Sequence, residues 1–296
     1  MIGIDWGTTS LRAYRLDAAG TVLGHHESPD GILTIPPGGF PAVLDRVIRP
    51  WLAAGETLVL LCGMVGSRQG WREAPYLPCP AGPRDIAQAL VALDIPGPRC
   101  LLVPGLTARD AAGVPDVMRG EETKLIGLLA ALGDTPALAC LPGTHSKWVR
   151  LAAGRIAGFG THMTGETRAV LLEHSILGRM TEAGEVREAA FRRGVRRSGE
   201  PGGLLHHLFG TRALGLLGDL APAETDDYLS GLLIGHEIRA AVGDAAGTSP
   251  GPIHLAGAPT LCRSYGLAFD ELGLACREHD PDIVAHGLAL IGRTLA

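Results

Sequence analysis

The chain opens with apolar and polar residues in alternation, broken by turns rich in glycine, threonine and serine. Residues 1–5, 11–16 and 21–26 read as three strands, with turns at 7–10 and 17–20 that carry hairpin punctuation. The same wording returns in mid-chain, where 137–141, 147–151 and 155–159 form a second triple of strands. Ile4-Asp5-Trp6-Gly7-Thr8-Thr9-Ser10 in the first copy answers Cys140-Leu141-Pro142-Gly143-Thr144-His145-Ser146 in the second. Each copy is an apolar strand, a Gly-Thr-x-Ser turn, an alternating strand, a small-residue turn and a third strand.

Between the copies, 40–54 has helical spacing, with Val43, Val47, Ile48, Trp51 and Leu52 on one face. Residues 57–62 and 100–103 are continuous apolar runs, as expected of strands covered on both sides. A loop rich in glycine and polar groups follows at 63–71, a short helix is predicted at 84–93, and a long one at 115–132. After the second copy the pattern predicts helices at 166–180, 185–196, 202–217 and 224–243, the last with Gly231 and Gly235 for close approach. A loop at 249–251, a strand at 253–255, a turn at 257–259, a helix at 260–272, a strand at 275–277 and a helix at 281–294 complete the chain. The expected architecture is α/β in two domains, 1–134 and 135–296, each founded on one triple-stranded hairpin.

The 296 residues suffice for two cores, and 46% hydrophobic content with a net charge of −5 is that of an ordinary soluble protein. That mild acidity argues against nucleic acid or an anionic membrane as the main partner. The six cysteines are dispersed without a C-x-x-C pair, which disfavours disulfides and metal clusters and fits a reducing cytosol. No signal-peptide pattern and no apolar run of membrane-spanning length is visible, so a cytoplasmic protein is expected, monomer or homodimer being left open.

The duplicated turn carries the chemistry. Backbone N–H groups in such a concave turn make an anion nest, to which the hydroxyls of Thr8, Thr9 and Ser10 add donors. Two such turns, with Gly7 in one and Gly143, Thr144, His145 and Ser146 in the other, suit a nucleotide polyphosphate. Asp5 at the strand end is a candidate Mg²⁺ ligand, acting through retained water, and Lys147 a candidate neutraliser of phosphate charge. Glu121 and Glu122 begin a helix, and burial at a cleft edge would make either a better base. The candidates for a polyhydroxylated acid are Ser67, Arg68, Gln69, Trp71 and Tyr76, with Arg12 beside them, and Arg68 is the expected carboxylate fork. Gly257 and Ala258 follow a strand where bare backbone lets an adenine approach.

These residues resemble the ATP-dependent sugar kinases of the actin-like ATPase superfamily, and among them the 2-dehydro-3-deoxygalactonokinases. Residues 3–10 are similar to that family's first phosphate motif, and 141–149 (Leu-Pro-Gly-Thr-His-Ser-Lys-Trp-Val) to its second. Met118-Arg119-Gly120-Glu121-Glu122-Thr123 and Met163-Thr164-Gly165-Glu166 fall where the resemblance expects them, and Leu255-Ala256-Gly257 looks like the adenosine segment. Glutamate stands where many relatives carry aspartate, and His162 replaces an expected apolar or aromatic residue. The resemblance implies two actin-like, ribonuclease H-like domains with an interdomain cleft, ATP and Mg²⁺ as cofactors, and a small sugar acid as partner. The implied reaction phosphorylates the terminal hydroxyl of 2-dehydro-3-deoxy-D-galactonate. A kinase for another sugar acid and a non-catalytic actin-like ATP sensor are the alternatives, since a fold does not fix a substrate.

Overall fold

The computed structural model describes residues 1–182, 187–244 and 251–295. The starts of the helix expected at 185–196 and of the loop expected at 249–251 lie outside them. By contacts the chain divides into two compact units. The first comprises Met1–Pro136, Leu151–Phe159 and Asp280–Ala296, and the second Ala137–Arg150 and Gly160–His279. The closing segment, expected with the second half of the sequence, therefore belongs with the first.

The first unit begins with β1 (Ile2–Trp6), β2 (Leu11–Leu16), β3 (Val22–Ser28), α1 (Phe40–Ala53) and β4 (Leu58–Cys62). It continues with β5 (Tyr76–Pro78), α2 (Pro83–Gln88), β6 (Val91–Leu93), β7 (Arg99–Leu102), β8 (Gly105–Arg109), β9 (Pro115–Met118) and α3 (Glu121–Leu132). Its main sheet has the order β3-β2-β1-β4-β7-β6. The hairpin strands are antiparallel, β4 and β7 extend the sheet in parallel, and β6 closes its edge antiparallel to β7. Lying between β1 and β7, β4 is buried along nearly its whole length, which is why its sequence is an unbroken apolar run. Helix α1 buries Phe40, Leu44, Val47 and Ile48 against this sheet.

Two expectations are corrected here. Residues 84–93 are not one helix: α2 ends at Gln88 and 91–93 pair with β7 as an edge strand. Nor is 115–132 one helix, because 115–118 pair with β8 and α3 begins only at Glu121. Gly120 makes the break, its φ of 105° lying outside any right-handed helix. Strands β5, β8 and β9 form a separate three-stranded sheet that the sequence pattern did not announce.

The chain continues with β10 (Ala137–Leu141), β11 (Ser146–Ala152) and β12 (Arg155–His162), of which Leu151–Phe159 is counted with the first unit, followed in the second unit by α4 (Thr164–His174), α5 (Glu188–Arg197), α6 (Gly203–Leu217) and α7 (Thr225–Asp244). Then come β13 (Ile253–Leu255), α8 (Pro259–Glu271) and β14 (Cys276–Glu278), and α9 (Ile283–Arg293) returns to the first unit. The sheet order β12-β11-β10-β13-β14 repeats the first sheet's plan, a hairpin triple continued by parallel strands. The helix pairs repeat as well. A Cβ on Gly127 of α3 would lie 2.1 Å from the Ile283 carbonyl oxygen of α9, and one on Gly231 of α7 would lie 2.0 Å from that of Phe191 on α5. Both crossings are therefore backbone against backbone. Tyr14 Oη donates to Asp282 at 3.0 Å, tying the start of α9 to β2.

Candidate functional site

In the first unit the 7–10 turn is closed by Gly7 N–H donating to the Ser10 carbonyl at 2.9 Å. It is backed by the segment after β3, where Ile32 N–H donates to the Gly7 carbonyl at 3.0 Å. Gly31 lies so close that a Cβ there would stand 2.3 Å from the Thr9 backbone. The turn is thus fixed from behind while Thr8 and Thr9 stay exposed.

Asp5 is the penultimate residue of β1, with Arg12 and Cys62 as its register partners on either side. Burial pushes its carboxyl above the usual range, and the charges of Lys124 and Arg12 pull it back. Cys62 Sγ approaches Asp5 Oδ1 at 4.0 Å. Gly63, at φ 93°, lets the chain turn here: a Cβ would meet the Trp6 carbonyl at 2.7 Å. Gly120 packs on it in turn, its own Cβ position lying 3.1 Å from Gly63 Cα. Two bare backbones thereby bring the start of α3 to the end of β1.

At that helix start the two glutamates differ. Glu122 is fully buried, accepting the Gly120 N–H at 2.6 Å and the Thr123 hydroxyl at 3.0 Å. Burial, and then the charge of Glu121, pushes its pKa up to about 8. Glu121 is only half-buried and accepts the Arg119 N–H at 3.1 Å. Lys124, one turn along α3, was not singled out from the sequence; only its placement near Asp5 reveals it.

The loop after β4 sorts the candidates for an acid. Arg68 and Gln69 are exposed, Ser67 is buried, and Tyr76 is 40% exposed on β5. Trp71 does not stand free in the loop: its indole stacks on Phe40 at 5.9 Å and meets Trp6 edge-on at 6.4 Å, so it belongs to the core. Arg12 bonds Glu27, its register partner on β3, at 3.0 Å.

In the second unit the 143–146 turn is clasped by the start of α4. Glu166 N–H donates to the Thr144 carbonyl at 3.0 Å, and a Cβ on Gly165 would fall 2.6 Å from the Gly143 carbonyl oxygen. His145 pairs with Glu166 across this contact. Gly257 lies against Pro142, where its Cβ would stand 3.3 Å from the proline, so Ala258 and the start of α8 adjoin the same turn. Two helix starts around one turn suit anionic oxygens. Lys147 is buried rather than solvated, and its Nζ donates to Thr161 Oγ1 at 2.8 Å. The Ser146 hydroxyl turns inward: it bonds Tyr265 Oη at 2.8 Å, which donates to Glu237 at 2.7 Å, and Trp148 Nε1 donates to the other oxygen of Glu237 at 2.7 Å. That side chain braces the turn from the core; only its backbone remains for a ligand.

Among the described residues no three His, Cys, Asp or Glu side chains are grouped to hold a metal ion. Asp5 fits a Mg²⁺ ion that keeps most of its waters and takes other oxygens from a nucleotide, which needs only one carboxylate. No helix among the described residues is long and apolar enough to cross a membrane.

A family model described as 2-keto-3-deoxy-galactonokinase matches residues 5–291. The "Probable 2-dehydro-3-deoxygalactonokinase" of Rhizobium meliloti (strain 1021) is 39% identical over 297 residues, covering 99% of this chain and 96% of that protein. The 2-dehydro-3-deoxygalactonokinase of Escherichia coli (strain K12) is 37% identical over 272 residues, 92% and 90% of the two. The crystal structure of a "putative 2-dehydro-3-deoxygalactonokinase protein" from Sinorhizobium meliloti superposes with a TM-score of 0.89 at 38% identity, covering 99% of this chain and 97% of that one. The component A of (R)-2-hydroxyglutaryl-CoA dehydratase from Acidaminococcus fermentans, at 11% identity and a TM-score of 0.52 over 100% and 99% of the chains, shares the fold alone.

Proposed function

The chain belongs to the 2-keto-3-deoxy-galactonokinase family, and from that premise we propose how its residues carry out the reaction. The protein is an ATP-dependent carbohydrate kinase of the actin-like fold. It transfers the γ-phosphoryl group of ATP to the terminal hydroxyl of 2-dehydro-3-deoxy-D-galactonate, giving the 6-phosphate and ADP. ATP and a sugar acid are cytoplasmic metabolites, and the enzyme works there.

The observation that supports the assignment of roles is the meeting of Asp5, Gly63 and Gly120, which brings the start of α3, where Glu121 stands, to the end of β1. Glu121 takes the proton of the attacking hydroxyl, because it is reachable and held by the Arg119 N–H, whereas both oxygens of Glu122 are occupied inside the protein. Glu122 instead fixes the loop that presents its neighbour. In the first unit Thr8 and Thr9 are the donors to phosphate oxygens; in the second, the backbone of 143–146, the start of α4 and the charge of Lys147 suit anionic oxygens. Gly257 and Ala258 border the adenosine. Asp5 would hold Mg²⁺, which supplies neutralisation of phosphate charge when bound with the nucleotide. The chain's own part is positioning and electrostatics rather than covalent chemistry.

A coupled ADP-release assay over a panel of 2-keto-3-deoxy sugar acids tests the activity, and no stimulation by any of them would end it. Glu121→Gln tests the base: kcat should fall by about 10²–10⁴ with ATP affinity kept. Unchanged kcat would move the role elsewhere.

A further inference from the structure

Among the described residues, Arg119 has two buried guanidinium nitrogens without a hydrogen-bond partner. It follows β9 directly and is 9% exposed. Its Nη2 donates to the Ala74 carbonyl at 2.7 Å and its Cζ lies 4.4 Å from the centre of the Tyr76 ring. Its Nε and Nη1 are buried and find no hydrogen-bond partner among the described residues. Nη1 faces Gly66, where a Cβ would come within 3.1 Å of it. The next residue, Ser67, is 8% exposed, and its hydroxyl is the other buried polar group of this neighbourhood with no partner. Buried donors left unpaired are costly, more so on a charged group, and persist where a ligand completes them.

We infer that Arg119 and Ser67 form the receptor for the carboxylate of the sugar acid. This rests on the kinase reading above and deepens it. Nη2 carries a second N–H besides the one given to Ala74, and with Nε on one edge or Nη1 on the other it makes the adjacent pair that grips a carboxylate through two parallel bonds. The Ser67 hydroxyl, on the residue that follows Gly66, is a further unpaired donor for the acid. Nε and Nη1 are sealed from water, and the 40% exposed Tyr76 ring covers the guanidinium, so the acid reaches them by displacing that ring. Arg68 itself stands in solvent, where a carboxylate gains little over its hydration. The position also suits the chemistry. The Arg119 N–H is bonded to Glu121, so the residue that anchors one end of the acid is tied to the residue that receives the proton at the other.

The small sheet explains the placement. Tyr76 on β5 is the register partner of Gly105 on β8, where a Cβ would meet its ring at 2.6 Å. Leu106 of β8 pairs with Met118, one residue before the arginine. A glycine in β8 thus lets the ring lie down beneath the guanidinium.

The experiment compares the 2-keto-3-deoxy acid with its uncharged C1 carboxamide, read both as calorimetric binding and as turnover. Wild type should prefer the acid by ~10- to 100-fold, the value of bonds to a charged group. Arg119→Met should abolish that preference, weakening the acid while leaving the amide and ATP unchanged. Arg119→Lys should restore part of it, Ser67→Ala should weaken the acid a few-fold, and Arg68→Gln should keep the preference whole. Retained preference in Arg119→Met overturns the inference. So does an equal loss of acid, amide and ATP in that variant, which marks a structural role. Should that variant not fold, Arg119→Lys decides: full wild-type preference there overturns the inference. Acid binding without turnover in wild type would instead count against the kinase reading.

Discussion

Replacing Glu122 by glutamine should stabilise the protein, and by an amount that grows with pH. The native carboxyl titrates at about 8 because it is buried, against an ordinary 4.5 once the chain unfolds. The sign follows from which state binds the proton. Below pH 4.5 both states hold it, and Glu122 costs nothing. Between the two values the unfolded chain ionises and the native one does not, so unfolding releases a proton and stability falls by roughly 1.4 kcal/mol per pH unit. Above about 8 the native carboxyl ionises too and the fall levels off. Glutamine has no such proton to lose. Its amide oxygen can still accept the Gly120 N–H and its NH₂ can donate to Thr123 Oγ1, so the exchange of hydrogen bonds adds only a pH-independent offset. The stability difference, Glu122→Gln minus wild type, should therefore rise by about 3 kcal/mol between about pH 5 and 7.5. Urea unfolding followed by tryptophan fluorescence measures it, since Trp6 and Trp71 lie in the core of the same unit. A difference that stays flat across that window would refute the burial argument, and with it the reason for giving the proton transfer to Glu121.

In the second unit, Gly165→Ala would drive a methyl group into the Gly143 carbonyl and displace the turn. KM for ATP should rise about tenfold or more while KM for the acid holds; an unchanged KM for ATP would remove this turn from nucleotide binding. Glu237→Leu strands the Trp148 N–H and the Tyr265 O–H and should cost about 2–5 kcal/mol in denaturant titration, and a cost under 1 kcal/mol would mean that the network is dispensable. Gly63→Ala forces a Cβ to 2.7 Å from the Trp6 carbonyl at a positive φ. It should lower kcat far more than ATP affinity, by separating α3 from β1, and equal kcat would deny that the contact positions Glu121.

Much of the architecture was legible because it depends on local pattern. The two hairpin triples announce themselves by alternation and by identical turn chemistry, and the runs of β4 and β10 by a lack of polar residues that only two-sided burial allows. What failed was a boundary. The apolar spacing after Pro115 continues smoothly into α3, and nothing in a 3.6-residue period shows that 115–118 pair with β8. Gly120 was the available signal, since a glycine before two glutamates marks a helix start as readily as a helix interior. The side chains of Ser146 and Trp71 take partners that the sequence does not show, for a related reason. A hydroxyl or an indole in a glycine-rich stretch reads as ligand-facing, yet Tyr265 and Phe40, which claim them, are distant in sequence.

The missed strand matters to the chemistry as much as to the fold. Had 115–132 been continuous helix, Arg119 would have been one turn of it, with its backbone N–H inside the helix ladder. Because β9 stops at Met118 and Gly120 reverses the chain, the Arg119 N–H is freed to hold Glu121, and the side chain passes back beneath β5 toward Gly66. One strand-to-helix junction therefore carries the proposed proton acceptor, the buried Glu122 and the guanidinium that faces Gly66. Three residues within four positions, Arg119, Glu121 and Glu122, differ in burial and in hydrogen-bond partners, a difference that the sequence motif alone does not carry.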